Sequence, residues 1–284
     1  MGDQPIVSVP PPWKLKATAY VVTFWSPYGK PLGQAYSPLE RESTFAAPES
    51  GQHLGGISQI QIIRYSESPV GPYDELLLWP GSFSYDIEGE DGRRKRKSNA
   101  RITRIYVSQK ETCWNGRKHW NIPKHLARFE WEDLPDGSTA VKVFPNDTTG
   151  DVLESRASDT PLVEAKFQRM RFLPKFPFSL GWFKYVGMDL AFVQPPLPEG
   201  RGSHNELPGT ERWCRIAPVQ SSKAAMLMWG DVTLRDEEAS TGSNTQKEMG
   251  VFPGLGGLQL SVKLEDVDME LGAGEHWDAP RTNL

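Results

Sequence analysis

Asn121-Ile122-Pro123-Lys124-His125-Leu126-Ala127 lies within a longer run from Thr112 to Arg128, TCWNGRKHWNIPKHLAR. A lysine placed directly after a proline and flanked by Trp114, Trp120 and Ile122 can have its amine in an apolar wall. A free lysine has a pKa of about 10.4, so only roughly one amine in 2,500 is a nucleophile at neutral pH. Burial among apolar side chains disfavours the charged form and lowers that value. A drop of about three pH units, roughly 4 kcal/mol of differential solvation, makes the amine usable for attack on a ketone carbonyl. The plainer reading of the same residues is a surface lysine ahead of a single helical turn, since most lysines are exposed.

A second stretch bears on the choice. Upstream, Ser68-Pro69-Val70-Gly71-Pro72-Tyr73-Asp74-Glu75-Leu76 presents a Gly-Pro-Tyr-x-Glu run. Together with Gly116-Arg117-x-x-Trp120-x-Ile122-Pro123-Lys124-x-Leu126-Ala127, in this order, it resembles the acetoacetate decarboxylase family. The wording of the chain is most similar to fungal members of that family. The resemblance implies a β-rich, closed, cone-like antiparallel barrel with a few short helices and an internal pocket. It implies that Lys124 is the Schiff-base lysine and Glu75 the active-site glutamate. Arg117, His125, Trp120 and Tyr73 are then expected to bind substrate or tune the lysine. The family's second lysine is His125 here, its acid after the Gly-Arg pair is Lys118, and its glycine two before the proline is Asn121. A histidine is cationic only part of the time near pH 7, so His125 would tune Lys124 less than a lysine does. No clear counterpart exists for the family's N-terminal active-site arginine, for which Arg41 and Arg64 are the candidates.

Composition sets the outer limits. At 284 residues the chain can bury a full core, and its 10 Trp, 12 Phe and 8 Tyr offset a modest hydrophobic share of 38%. A net charge of −4 leaves no footprint for nucleic acid. Cys113 and Cys214 are too few for a secreted disulfide framework, which points to reduced thiols and a cytoplasmic protein. No basic-then-apolar leader opens the chain, and no apolar run approaches the ~18 residues that span a bilayer. His119 and His125, six apart, fit no metal-ligand spacing, so neither metal nor other cofactor is expected. Arg93 to Lys97 is a basic run that reads either as an import signal or anionic-ligand patch, or as the solvated tip of a hairpin.

The segment pattern is one of many short strands. Strands are expected at Trp13–Trp25, Gln59–Tyr65, Glu75–Phe83, Arg101–Gln109, Thr139–Phe144, Val163–Phe167, Trp213–Ile216 and Ala224–Trp229. Leu258, Leu260, Val262 and Leu264 alternate cleanly, and Val267, Met269 and Leu271 continue one residue out of phase, as a bulge requires. No long amphipathic helix stands out. Residues 1–12, with Pro10 to Pro12, read as a flexible arm able to reach a neighbouring subunit of a homo-oligomer. Residues 13–271 read as one domain and 272–284 as a loose tail, with a mobile loop at 236–248. The expected activity is a carbon–carbon lyase of decarboxylase type acting on a keto acid or polyketide-like ketone. The alternatives are an aldolase, dehydratase or cyclase of secondary metabolism, or a protein that only binds a small ligand.

Overall fold

The computed structural model describes residues 5–29, 32–89, 91–171, 173–185, 187–235, 255 and 257–279. Its strands are β1 (Trp13–Ser26), β2 (His53–Glu67), β3 (Tyr73–Trp79), β4 (Ser82–Glu88), β5 (Arg94–Ala100), β6 (Arg104–Val107), β7 (Lys124–Asp133) and β8 (Thr139–Pro145). They continue with β9 (Val163–Arg169), β10 (Phe176–Ser179), β11 (Phe192–Gln194), β12 (Trp213–Ile216), β13 (Val219–Leu234), β14 (Leu258–Leu271) and β15 (Glu275–Trp277). Three short helices accompany them: α1 (Pro38–Arg41), α2 (Lys110–Trp120) and α3 (Gly181–Lys184).

Nine strands close a barrel in the order β1, β14, β13, β9, β8, β7, β6, β3 and β2, with β2 pairing back to β1. Closure removes the free edges that would otherwise invite association. Every neighbouring pair is antiparallel except β6 and β7. Those two run parallel because the chain returns through α2, the crossover that a parallel pair needs. Alternation fills the interior: Tyr20, Val22 and Phe24 from β1 meet Ile60 and Ile62, Leu76 and Leu78, and Val141 and Val143. The opposite sheet face carries a second core, in which Trp13, Leu15, Ile63 and Ile105 pack against Trp120 and Ile122. A smaller sheet of β4, β5, β11, β12 and β15 leads away from β2.

Several expectations are corrected. Glu75–Phe83 is two strands, broken at Pro80-Gly81 where Gly81 has φ 124°. A side chain on Gly81 would sit 2.5 Å from the Gly55 carbonyl oxygen. Most of the basic run lies within β5 instead of at a hairpin tip, with the Arg96 Nε 3.1 Å from Asp86. The phase shift in β14 is real: Asp266 has φ 49°, and the β1 register slips between Ala17 and Ala19. Residues 275–277 form β15 against β12, so the expected loose tail is partly sheet. The arm does not hang free either, since Asn115 accepts a hydrogen bond from the Val9 N–H at 2.7 Å and donates to the Val7 carbonyl at 3.0 Å. The loop expected at 236–248 falls outside the described residues.

The largest omission from the sequence reading is α2. Its buried residues are Thr112, Cys113, Asn115, Gly116, Arg117 and Trp120, so a mainly polar face turns inward and the apolar stripe is missing. Among the described residues no helix is long and apolar enough to cross a membrane.

Candidate active site

Lys124 is the first residue of β7, and the turn before it is built by α2. Asn121 closes the helix in the left-handed conformation, φ 53° and ψ 30°, which Gly or Asn adopts most readily. Asparagine here meets the same conformational demand that a glycine would. The Asn121 amide also donates to the Pro195 and Arg212 carbonyls, fixing the turn to the chain beyond β11. The Lys124 carbonyl accepts from Arg117 Nη1 at 3.2 Å and from Cys113 Sγ at 3.3 Å. Its side chain then runs over Gly116, where a Cβ would lie 2.6 Å from the lysine Cδ.

The amine ends beside Glu75. Lys124 Nζ is 2.9 Å from Glu75 Oε2 and donates to Thr112 Oγ1 at 2.9 Å, and both charged side chains are about 5% exposed. Glu75 lies on β3 and Lys124 on β7, with β6 between them, so two long side chains meet across a strand. Tyr73, two residues before Glu75, shares its face and places its ring centroid 5.2 Å from Nζ. Tyr65, opposite Tyr73 and stacked on it at 4.4 Å, donates its hydroxyl to Glu75 Oε1 at 3.1 Å. Burial pushes the Tyr73 phenol up to about 12 and that of Tyr65 well above its ordinary value. Both therefore stay protonated donors.

The charge state of Lys124 differs from the sequence expectation. Burial pushes its pKa down as foreseen, but the Glu75 carboxylate, together with Tyr73 and Cys113, more than reverses this, and the pKa lies above the ordinary lysine value. The resting site holds an ammonium–carboxylate pair. Trp120 and Ile122 line the site, with Trp120 donating to the Gly272 carbonyl at 2.8 Å and packing edge-on to Trp13. Trp114 does not line it and rests against His119 instead.

His125 and Arg117 face elsewhere. Successive strand residues point to opposite faces, so His125 enters the end of the barrel interior. There Nε2 is 2.7 Å from Glu40 and Nδ1 is 3.1 Å from Glu154, all buried. Burial alone would lower the histidine pKa, and the two carboxylates raise it to about 10. Glu40 is likewise pushed up by burial, yet His125 and Arg117 hold it at about 2. Arg117 pairs with Glu40 at 2.9 Å and donates to the Pro198 and Pro208 carbonyls. Arg117 and His125 thus meet at Glu40, and the structure brings neither side chain to the Lys124 amine. Arg41 and Arg64 also lie apart: Arg64 pairs with Asp74 and covers Trp131, and Arg41 borders a separate cleft.

A cavity of about 640 Å³ opens in front of Lys124 and Glu75. Its walls are mostly apolar, with Leu15, Leu77, Ile105 and Met269 among them, and Phe178, Phe183 and Met188 reach over it from 176–192. Tyr65 and Thr112, the two partners that sequence reading missed, both carry neutral hydroxyls aimed at the charged pair. Among the described residues, no group of three or more His, Cys, Asp or Glu is arranged to hold a metal ion.

The chain superposes on acetoacetate decarboxylase from Legionella pneumophila subsp. pneumophila str. Philadelphia 1 with a TM-score of 0.56. The match covers 95% of this chain and 88% of that one at 11% identity. The chain has the acetoacetate decarboxylase fold. A second structure with the acetoacetate decarboxylase-like fold, the enduracididine biosynthesis enzyme MppR, matches with a TM-score of 0.53 at 14% identity. That match covers 94% of this chain and 90% of that chain, which is complexed with the condensation product of pyruvate and imidazole 4-carboxaldehyde. By sequence, the chain is similar to Protein NEOXANTHIN-DEFICIENT 1 from Oryza sativa subsp. japonica, 24% identical over 211 residues. The alignment covers 69% of this chain and spans 64% of that relative's length. No protein-family profile matches the sequence.

Proposed function

We propose that the chain is a carbon–carbon lyase that forms a Schiff base between Lys124 and a small-molecule ketone or aldehyde. The observation that carries this reading is the buried Lys124–Glu75 pair, 2.9 Å apart at the wall of a largely apolar cavity. In water such a pair stays ionised. In an apolar cavity the ionised and neutral forms lie closer in energy, and a bound carbonyl compound displaces the remaining water. One proton then moves from the ammonium to Glu75, leaving a neutral amine to attack the carbonyl carbon. Glu75 returns that proton to the carbinolamine hydroxyl, which leaves as water and gives the iminium. The iminium accepts the electron pair of the bond between its α and β carbons as that bond breaks, which leaves an enamine on Lys124, and the β carbon departs as CO2 from a carboxylate or as a carbonyl group from a β-hydroxyl whose proton Glu75 takes. Tyr65 and Thr112 hold Glu75 and Lys124 in position throughout.

A second reading changes the later steps: the same iminium supports aldol-type condensation, dehydration or cyclisation. What favours it is the complex of the fold neighbour MppR with a condensation product.

Borohydride trapping tests the shared step. Incubation with a carbonyl compound and borohydride should add the reduced ligand to the peptide containing Lys124, and Lys124→Met should carry no adduct. An adduct that survives in Lys124→Met, or its absence in wild type across a broad panel of carbonyl compounds, rules out the Schiff-base reading.

A further inference from the structure

The cavity is far larger than a short keto acid needs and is the wrong polarity for one. At about 30 Å³ per water, its 640 Å³ would hold about 20 waters, the range of a drug-sized ligand. Among the described residues that line it, Lys124 is the one Lys or Arg, and Glu75 already neutralises it. A second carboxylate entering from a ligand would lose its hydration with no free cation to meet it. The cavity is also elongated. Its reactive end is closed by Trp13 and Trp120, 2% and 1% exposed. The other end is bounded by Trp25 and Ile57, cross-strand partners that also line the cavity yet are 67% and 44% exposed. Ile57 precedes Ile63, the partner of Glu75, by six residues on β2. At about 3.4 Å per residue the open end is therefore about 20 Å from the reactive pair.

Building on the Schiff-base reading, we propose that the substrate is an uncharged, elongated, apolar ketone or aldehyde. Its carbonyl sits at Lys124 and its tail leaves over Trp25 and Ile57. An exposed tryptophan and isoleucine side by side on neighbouring strands at a cavity mouth are costly in water and are covered by such a tail.

The test compares acetone, 2-undecanone, 2-nonadecanone and acetoacetate on the full chain. Binding is followed by tryptophan fluorescence, which needs no imine, and adduct formation by borohydride trapping. Each methylene moved from water to an apolar wall strengthens binding severalfold, so 2-undecanone should bind at least about a hundredfold more tightly than acetone. Trp25→Ser and Ile57→Ser should each weaken 2-nonadecanone, whose tail is long enough to reach the mouth, relative to 2-undecanone, and acetoacetate should bind no better than acetone. Equal binding of acetone and 2-undecanone, tighter binding of acetoacetate, or a ratio of 2-nonadecanone to 2-undecanone unchanged in both variants would overturn the proposal. A strong preference for 2-undecanone without any trapped adduct would uphold the apolar ligand class while removing the Schiff-base step.

Discussion

At Lys124 two effects oppose each other over one proton. The apolar wall disfavours the ammonium, and the Glu75 carboxylate at 2.9 Å favours it and prevails. Glu75→Gln removes the carboxylate that raises the pKa and leaves burial less opposed. The amine pKa should then fall, and labelling by formaldehyde and cyanoborohydride at pH 8 should accelerate, about tenfold for each pH unit by which it falls. Turnover should drop in the same variant, because the proton carrier is lost. Peptide mass spectrometry of labelled Lys124, read beside activity, checks both directions; unchanged labelling would show that Glu75 does not hold the proton on the lysine. Lys124, Glu75 and Tyr73 were legible as a set because their motifs place them at a strand start and on one strand face. The partners Tyr65 and Thr112 were not, since a lone tyrosine in a strand and a lone threonine carry no pattern.

At the scale of elements, the site depends on how closely α2 approaches the start of β7. Gly116 leaves the space that the lysine side chain occupies, with a prospective Cβ 2.6 Å from Cδ and 2.8 Å from Cε. Gly116→Ala should strengthen the helix by about 1 kcal/mol and overpack the contact by about 1–3 kcal/mol. The melting temperature should thus move by only a few degrees. The amine, however, is displaced, and a shift of about 1 Å in a reacting group costs about a hundredfold in rate. Borohydride trapping and thermal melts on the same variant separate the two effects: preserved trapping would mean that the lysine has slack. The helix itself was hidden because Thr112, Asn115 and Arg117 point inward, and their reason for being buried, the Lys124 amine and the carbonyls and Glu40 they serve, lies in distant segments. Asn121 announced the turn only by standing in for a glycine.

For the whole molecule, the buried charges at the end of the barrel interior set a pH dependence. His125 has its pKa raised from 6.5 to about 10, so its contribution to stability is complete below pH 6.5 and is lost as the pH rises through 10. Glu40 is lowered from 4.5 to about 2, so its contribution is complete above pH 4.5 and is lost as the pH falls through 2. Asp147, raised by burial to about 6, erodes stability as the pH climbs from 3.8 to 6. Thermal stability should peak at mildly acidic pH and decline from pH 6.5 toward 10. His125→Gln should be less stable by about 3–5 kcal/mol at pH 6, because the buried Glu154 loses the imidazolium beside it and Glu40 is left with Arg117, and its alkaline slope should be flatter. Melting curves from pH 5 to 9.5 test this, and equal slopes for the two proteins would remove His125 from the account. The barrel was largely legible, because alternation in β1, β9 and β14 survives one wet face; the break at Gly81 and the pairing of β15 depend on partners that no local pattern reveals. One detail of β7 joins the two halves of the molecule. Lys124 and His125 are neighbours in the chain but enter opposite sides of the sheet, one toward the cavity and one toward Glu40 and Glu154. A slip of β7 by a single residue would carry either the imidazole to the cavity or the amine to the carboxylate cage, according to its direction. Either slip would also turn Arg128 and Glu130 toward the interior in place of Ala127 and Phe129, so the alternation that keeps this core apolar is the same one that keeps the Lys124 amine beside Glu75.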